Sequence, residues 1–237
     1  IVGCSDSKTL APFNDSNYEF WGVNNLFVNM PDKPWTRWFE IHEITHDGKH
    51  FKRREHFSQN PYDFRGQPVD DYIKGLGKLT CPVYMQKRWP NIPNSVVYPL
   101  KEIIEAYGNY FTNTVSYEIA LAIFEGFKTI GIYGVDMAVG SEYGHQRPSC
   151  EYFIGLAIGL GIEVYIPPEA DLLKIRHLYA FEENKEAAWL KKVRSQIESM
   201  KTRLKHSQQQ LKTAETQVNQ YIGAISAAQE QIKIWGF

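Results

Sequence analysis

Leu190, Ile197, Leu204, Leu211, Val218, Ile225 and Ile232 recur every seven residues, and Val193, Met200, Ser207, Ala214, Tyr221, Ala228 and Trp235 fill the offset of three. A seven-residue apolar repeat sustained this long fits an α-helix whose stripe forms a coiled-coil seam. As one helix the stretch extends roughly 80 Å at 1.5 Å per residue. A lone helix leaves that stripe in water, so self-association through residues 182–235 is expected. The competing readings are an amphipathic helix folded back on the rest of the chain and a hairpin broken near Gly223. Small residues at the second seam position (Ser207, Ala214, Ala228) specify the number of strands poorly.

Upstream of Glu182 the pattern changes. Short apolar runs such as Phe20-Trp21-Gly22-Val23, Trp38-Phe39-Glu40-Ile41 and Ser95-Val96-Val97-Tyr98 end in Gly, Asn, His or Pro. They alternate with helical patterns over 100–107, 115–124 and 152–160. This alternation predicts a layered α/β domain with a mostly parallel sheet over residues 1–180, followed by the heptad helix over 181–237. Residues 43–80, irregular and rich in Lys, Arg, His and Asp, read as a lid or insertion beside the site. A net charge of −1 gives no global field for nucleic acid or an acidic surface. Three cysteines, Cys4, Cys81 and Cys150, without metal-type spacing predict a reducing, cytoplasmic setting and no disulfide framework. No apolar run is long enough for a membrane span, and no signal-peptide pattern is legible.

The stretch from Tyr110 to Lys174 carries most of the candidate chemistry. It reads as a helix, a buried strand ending in Gly134-Val135-Asp136, a polar loop with Tyr143, His145 and Arg147, a second helix and a strand over 163–166. In open α/β sheets, ligands sit outside the carboxyl ends of the strands, where such a loop emerges. A histidine titrates near neutral pH and can take a proton from a hydroxyl. Tyr143 can hydrogen-bond a departing phosphate, and Arg147 can neutralise it. A solvated surface loop is the alternative.

Four other places combine polar groups with a strand or helix end. Gly3-Cys4-Ser5-Asp6-Ser7 is a small-residue turn after a strand, open enough for backbone N–H groups to approach a phosphate. It is neither a Walker A loop nor a dinucleotide fingerprint, and it also suits an ordinary strand-to-helix turn. Asn24 and Asn25 close the second strand and can read a base edge or ribose hydroxyls, or simply make a turn. Thr112-Asn113-Thr114 predicts a helix N-cap, where exposed N–H groups also bind anions. Alternation puts Glu40 and His42 on one face of a strand end, near His46 and His50. That spacing fits no zinc pattern, and Asp136 has no second carboxylate nearby in the sequence, so no metal is expected. Asp136 reads as a loop anchor.

The turn from Gly3 to Leu10, the strand end Val23 to Phe27 and the 110–174 segment together resemble a family of bacterial sialyltransferases that use CMP-sialic acid. They also resemble the MAF/DUF115 group, which includes an archaeal hydroxymethylpterin pyrophosphokinase and many phage proteins. The chain departs from the sialyltransferase pattern at Cys4 (Asn in the family), Asp6 (Pro) and Asn113 (Thr), and the resemblance does not extend to the heptad helix. What it implies is a Rossmann-like, glycosyltransferase-like α/β fold in a cytoplasmic protein, of a phage-infected bacterium if the phage likeness holds. The implied activity is transfer from a nucleotide-activated donor, a CMP- or UDP-type nucleotide sugar, with no further cofactor. Gly3, Cys4, Ser5, Ser7, Asn24, Asn25, Asn113, Thr114, Gly134 and Asp136 would then hold the nucleotide. His145 would be the base, and Tyr143 and Arg147 would meet the leaving phosphate. Two alternatives stay open: a Mg²⁺-dependent pyrophosphokinase-like phosphotransferase, and a nucleotide-binding or scaffold protein without catalysis.

Overall fold

The computed structural model describes residues 1–54, 60–137, 141–174 and 188–235. The chain divides into two units, Ile1–Arg176 and His177–Phe237.

In the first unit a 3₁₀ turn over Asp6–Leu10 precedes β1 (Trp21–Val23), the single-turn α1 (Leu26–Asn29) and β2 (Arg37–Glu40). The strands are short and almost wholly buried, as strands covered on both faces must be. Two antiparallel ribbons follow, β3 (Ile44–His46) with β4 (Phe51–Arg53) and β5 (Asp63–Phe64) with β6 (Gln67–Pro68). Next come α2 (Val69–Leu76), β7 (Val83–Met85), β8 (Ser95–Val97) and α3 (Leu100–Tyr107). The unit continues with α4 (Thr114–Phe124), β9 (Thr129–Gly131), α5 (Ser141–Gly159) and β10 (Glu163–Tyr165).

The fold is mixed α/β around a parallel sheet of four strands, β1-β2-β7-β8, with β9 and β10 forming a second parallel pair. Val2 makes parallel bridges to Gly22 in β1 and to Tyr133 just beyond β9, which joins the two sets. The spatial order is therefore β8-β7-β2-β1-Val2-β9-β10. The chain runs outward from Val2 through β1 to β8, then returns to the other side of Val2, so the order reverses there.

The described residues of the 43–80 stretch are more regular than their composition predicts. Val69, Tyr72, Ile73 and Leu76, spaced at one-face intervals of a helix, are fully buried and join the main core. The larger difference lies in α5. A loop was expected around Tyr143, His145 and Arg147, with helix beginning near Tyr152, yet helix begins at Ser141. Gly144 and Pro148 lower local helix propensity, and Pro148 removes one backbone donor. Contacts from elsewhere hold the turn: the Gln146 carbonyl accepts hydrogen bonds from Thr112 Oγ1 (3.2 Å), Asn113 Nδ2 (2.8 Å) and Ser149 Oγ (3.1 Å).

The second unit contains α6 (Ala188–Trp235), whose 48 residues extend about 72 Å. Its seam residues Leu204, Leu211, Val218, Ile225 and Ile232 are each more than half exposed. No described helix is long and apolar enough to cross a membrane.

Candidate functional site

A cavity of about 750 Å³ opens at the carboxyl ends of the central strands, on both sides of the reversal at Val2. Gly3, Cys4 and Ser5 approach it from the Val2 strand, Val23 and Asn24 from β1, and 134–137 from beyond β9. Phe111 to Val115 add the start of α4, and His145 and Gln146 add the first turns of α5. Two further groups complete the wall: His42 at the end of β2 and Arg65 at the tip of the β5–β6 ribbon.

The glycines are there to let two backbones meet. A Cβ on Gly3 would stand 2.4 Å from the Gly134 carbonyl oxygen, and one on Gly134 would stand 2.5 Å from the Gly3 oxygen. Gly134 also has φ +66°, which favours glycine. The Ser5 amide donates to Gly134 O (2.8 Å), and the Gly134 amide donates to the buried Ser7 hydroxyl (2.9 Å). Ser7 therefore ties the turn to the neighbouring strand end and does not line the cavity.

Asn113 is committed to the fold in the same way. Its Oδ1 caps α4 by accepting from the Ser116 amide at 3.0 Å and also accepts from the Cys150 thiol at 3.2 Å. Its Nδ2 donates to Gln146 O and to Ser149 Oγ (3.1 Å). Burial pushes the Cys150 thiol up to about 12, so it remains a neutral donor. Thr114, by contrast, lines the cavity.

Under the β1 and β2 ends lies a buried ionic network. The Glu40 carboxylate, with no exposed side-chain surface, meets His42 Nδ1 at 2.6 Å and accepts from Arg53 Nε at 3.0 Å and from the Tyr72 hydroxyl. Burial alone drives this carboxyl upward, but Arg53 and His42 beside it and the Tyr72 hydrogen bond outweigh burial and hold it well below the usual range. Arg53 Nη2 lies 3.3 Å from Asn24 Oδ1 and 2.8 Å from His42 Nδ1. Asn24 sits at φ +54°, and its carbonyl accepts from Tyr72. A non-glycine residue in that conformation needs its surroundings to hold it, and this network does so.

The expected phosphate partner Arg147 serves another purpose. Its Nε donates to Glu151 (2.8 Å) and its Nη2 donates to the carbonyls of Asp171 (3.1 Å) and Lys174 (3.3 Å), bracing the 171–174 turn. It is absent from the cavity wall, where the cation is Arg65. Arg65 (φ +57°) and Gly66 (φ +80°) form a two-residue turn between β5 and β6, both left-handed as a tight hairpin requires. The Arg-Gly pair between Phe64 and Gln67 was the available signal in the sequence. Asp136 lines the cavity, and the neighbouring Met137 amide donates to both oxygens of buried Asp171 (2.8 and 2.9 Å). Burial, with Asp136 adding to it, raises the Asp171 carboxyl. Asn25 stands at the start of α1 away from the wall. The side chain of Tyr143 lies outside the described residues.

His145 is exposed on the first turns of α5. Among the described residues no group of three or more His, Cys, Asp or Glu is placed to hold a metal ion. A second cavity, about 390 Å³, adjoins the first and shares His42 and Phe111 to Thr114 with it. Comparison of the chain with protein-family models, with curated proteins and with solved structures finds no match.

Proposed function

We propose that the chain is a transferase using a nucleotide-activated donor, most simply a nucleotide sugar of the CMP or UDP type, on a Rossmann-like scaffold. The observation that carries this reading is the position of the larger cavity. It lies at the carboxyl ends of parallel strands where strand order reverses, the place where open α/β sheets bind nucleotides. Its walls suit such a donor. Asn24 and Thr114 offer polar groups to a ribose or base, the Gly3–Gly134 contact keeps the floor low, and Arg65 supplies a cation for phosphate. Two imidazoles, His42 and His145, reach the wall, and transfer to a hydroxyl needs one proton acceptor.

In the same reading α6 is the assembly element, pairing its seam with that of a second copy. Seven successive heptads of one register suit a long partner of the same period, and a second copy of this helix is one.

Thermal unfolding against CMP, UDP, GDP, ATP and their sugar conjugates tests the reading. A ligand present at 100 times its Kd stabilises the folded state by about 2.7 kcal/mol, and one class of nucleotide is expected to raise Tm accordingly. If no nucleotide shifts the transition, the transferase reading falls.

A further inference from the structure

We propose that His42 is the proton acceptor of this site, held in its working tautomer by buried Glu40, and that the smaller cavity beside it seats the acceptor. The proposal rests on the transferase reading above. His42 is the side chain of the Glu40 network that reaches both cavities. The smaller cavity adds Glu43, Arg54, Gln86 and Tyr117, a wall of polar and aromatic groups that suits a hydroxylated acceptor such as a sugar.

The hydrogen-bond geometry selects the tautomer. His42 Nδ1 lies 2.6 Å from Glu40 Oε1 and 2.8 Å from Arg53 Nη2. An ionised carboxylate has no proton to give, so the shorter contact requires hydrogen on Nδ1. Arg53 has other acceptors, Glu40 Oε2 for its Nε and Asn24 Oδ1 for its Nη2. The neutral ring then keeps its lone pair on Nε2, the atom a general base needs, and Glu40 stabilises the imidazolium that forms. Among the described residues no carboxylate pairs with His145, so that ring has no comparable orientation.

In the transfer step the acceptor oxygen forms its bond to the sugar carbon of the donor as its proton passes to His42 Nε2. The bond from that carbon to the phosphate oxygen breaks with its electron pair, and the phosphate leaves on the nucleotide, where Arg65 faces it. Glu40 is a positioning residue and takes no proton.

The test measures consumption of CMP-sialic acid, UDP-glucose and UDP-N-acetylglucosamine, with water as the acceptor, by the full chain and by His42→Asn, His42→Ala and His145→Ala. The asparagine amide can still donate to Glu40 but cannot accept a proton. The expected result for His42→Asn is a kcat lower by about 10²–10⁴-fold with donor binding retained, and partial rescue of His42→Ala by added imidazole. Long-range ¹H–¹⁵N spectra of the wild type should show His42 with hydrogen on Nδ1 and Nε2 bare. A wild type that consumes donor while His42→Asn keeps its rate overturns the base assignment alone. Loss in His145→Ala combined with retention in His42→Asn moves the role to His145. A ring protonated on Nε2 only overturns the Glu40 part. A wild type that binds a donor but consumes none overturns the base assignment, and one that neither binds nor consumes any donor overturns the transferase reading with it.

Discussion

Glu40 and Arg53 are all but completely buried in the α/β unit, whereas Leu211 and Ile232 of α6 are exposed by 60% and 69%. The two units thus invert the usual division of charge and apolar surface in opposite senses. In the α/β unit the inversion is resolved internally, since Glu40 has Arg53, His42 and Tyr72 as partners. In α6 the seam residues Leu204, Leu211, Val218, Ile225 and Ile232 are each more than half exposed within their own unit, and in the proposed reading a second copy with the same spacing would cover them.

The largest expected effect breaks the helix side of this comparison. Leu204→Lys together with Leu211→Lys places two charges in the seam and should abolish self-association in sedimentation velocity. The melting of the α/β unit should stay unchanged, and a chain that remains oligomeric would show that the seam is not the interface.

Glu40→Ala tests the other side. Removing one partner of a buried pair strands Arg53, at a cost of about 3–5 kcal/mol in denaturant unfolding. The pH dependence carries a definite sign. The folded-state pKa of Glu40 is depressed, so its contribution is present above the ordinary carboxylate range and is lost as pH falls below about 4 toward the folded value. The variant should lack that share of the acid limb.

Glu118 sharpens the comparison at a smaller scale. It is fully buried in α4, and neither carboxylate oxygen has a hydrogen-bond partner among the described residues. Burial raises its pKa well above the usual range, so the group is held neutral. For a raised carboxyl the folded state binds its proton more tightly, so this residue costs stability as pH rises above its unfolded pKa of about 4.3. Glu118→Met should therefore stabilise the unit, with the gain growing between pH 5 and pH 8 by up to about 1.4 kcal/mol per pH unit. A gain independent of pH would mean the burden is packing rather than charge.

Legibility followed the range of the interactions. Helix α3 falls on the residues its local pattern predicts, and the Asn113 cap of α4 was visible because capping is local. The pairing of Glu40 with His42, two residues apart across the end of β2, was also local. Arg53 and Tyr72, 13 and 32 residues from Glu40, reach it through the folding of the ribbons and α2, and no periodicity announces that. Arg65 entered the cavity and Arg147 turned away from it for the same reason. Gly144 and Pro148 disguised the start of α5, whose first turns are held by Thr112 and Asn113 about 33 residues upstream.

The sequence by itself determined the seven-residue helix and the alternating order of strands and helices, because both follow from side-chain periodicity along a short stretch of backbone. It also marked Gly3, Asn24, Thr114, Asp136 and His145 as residues near a strand or helix end. Only the tertiary structure decided which of these face a common cavity, that Ser7 and Asn113 are spent on the fold, and that His42 stands against a buried carboxylate. Those outcomes depend on backbone segments far apart in the chain approaching within hydrogen-bond distance, and that approach is set by the packing of the whole sheet rather than by any local pattern.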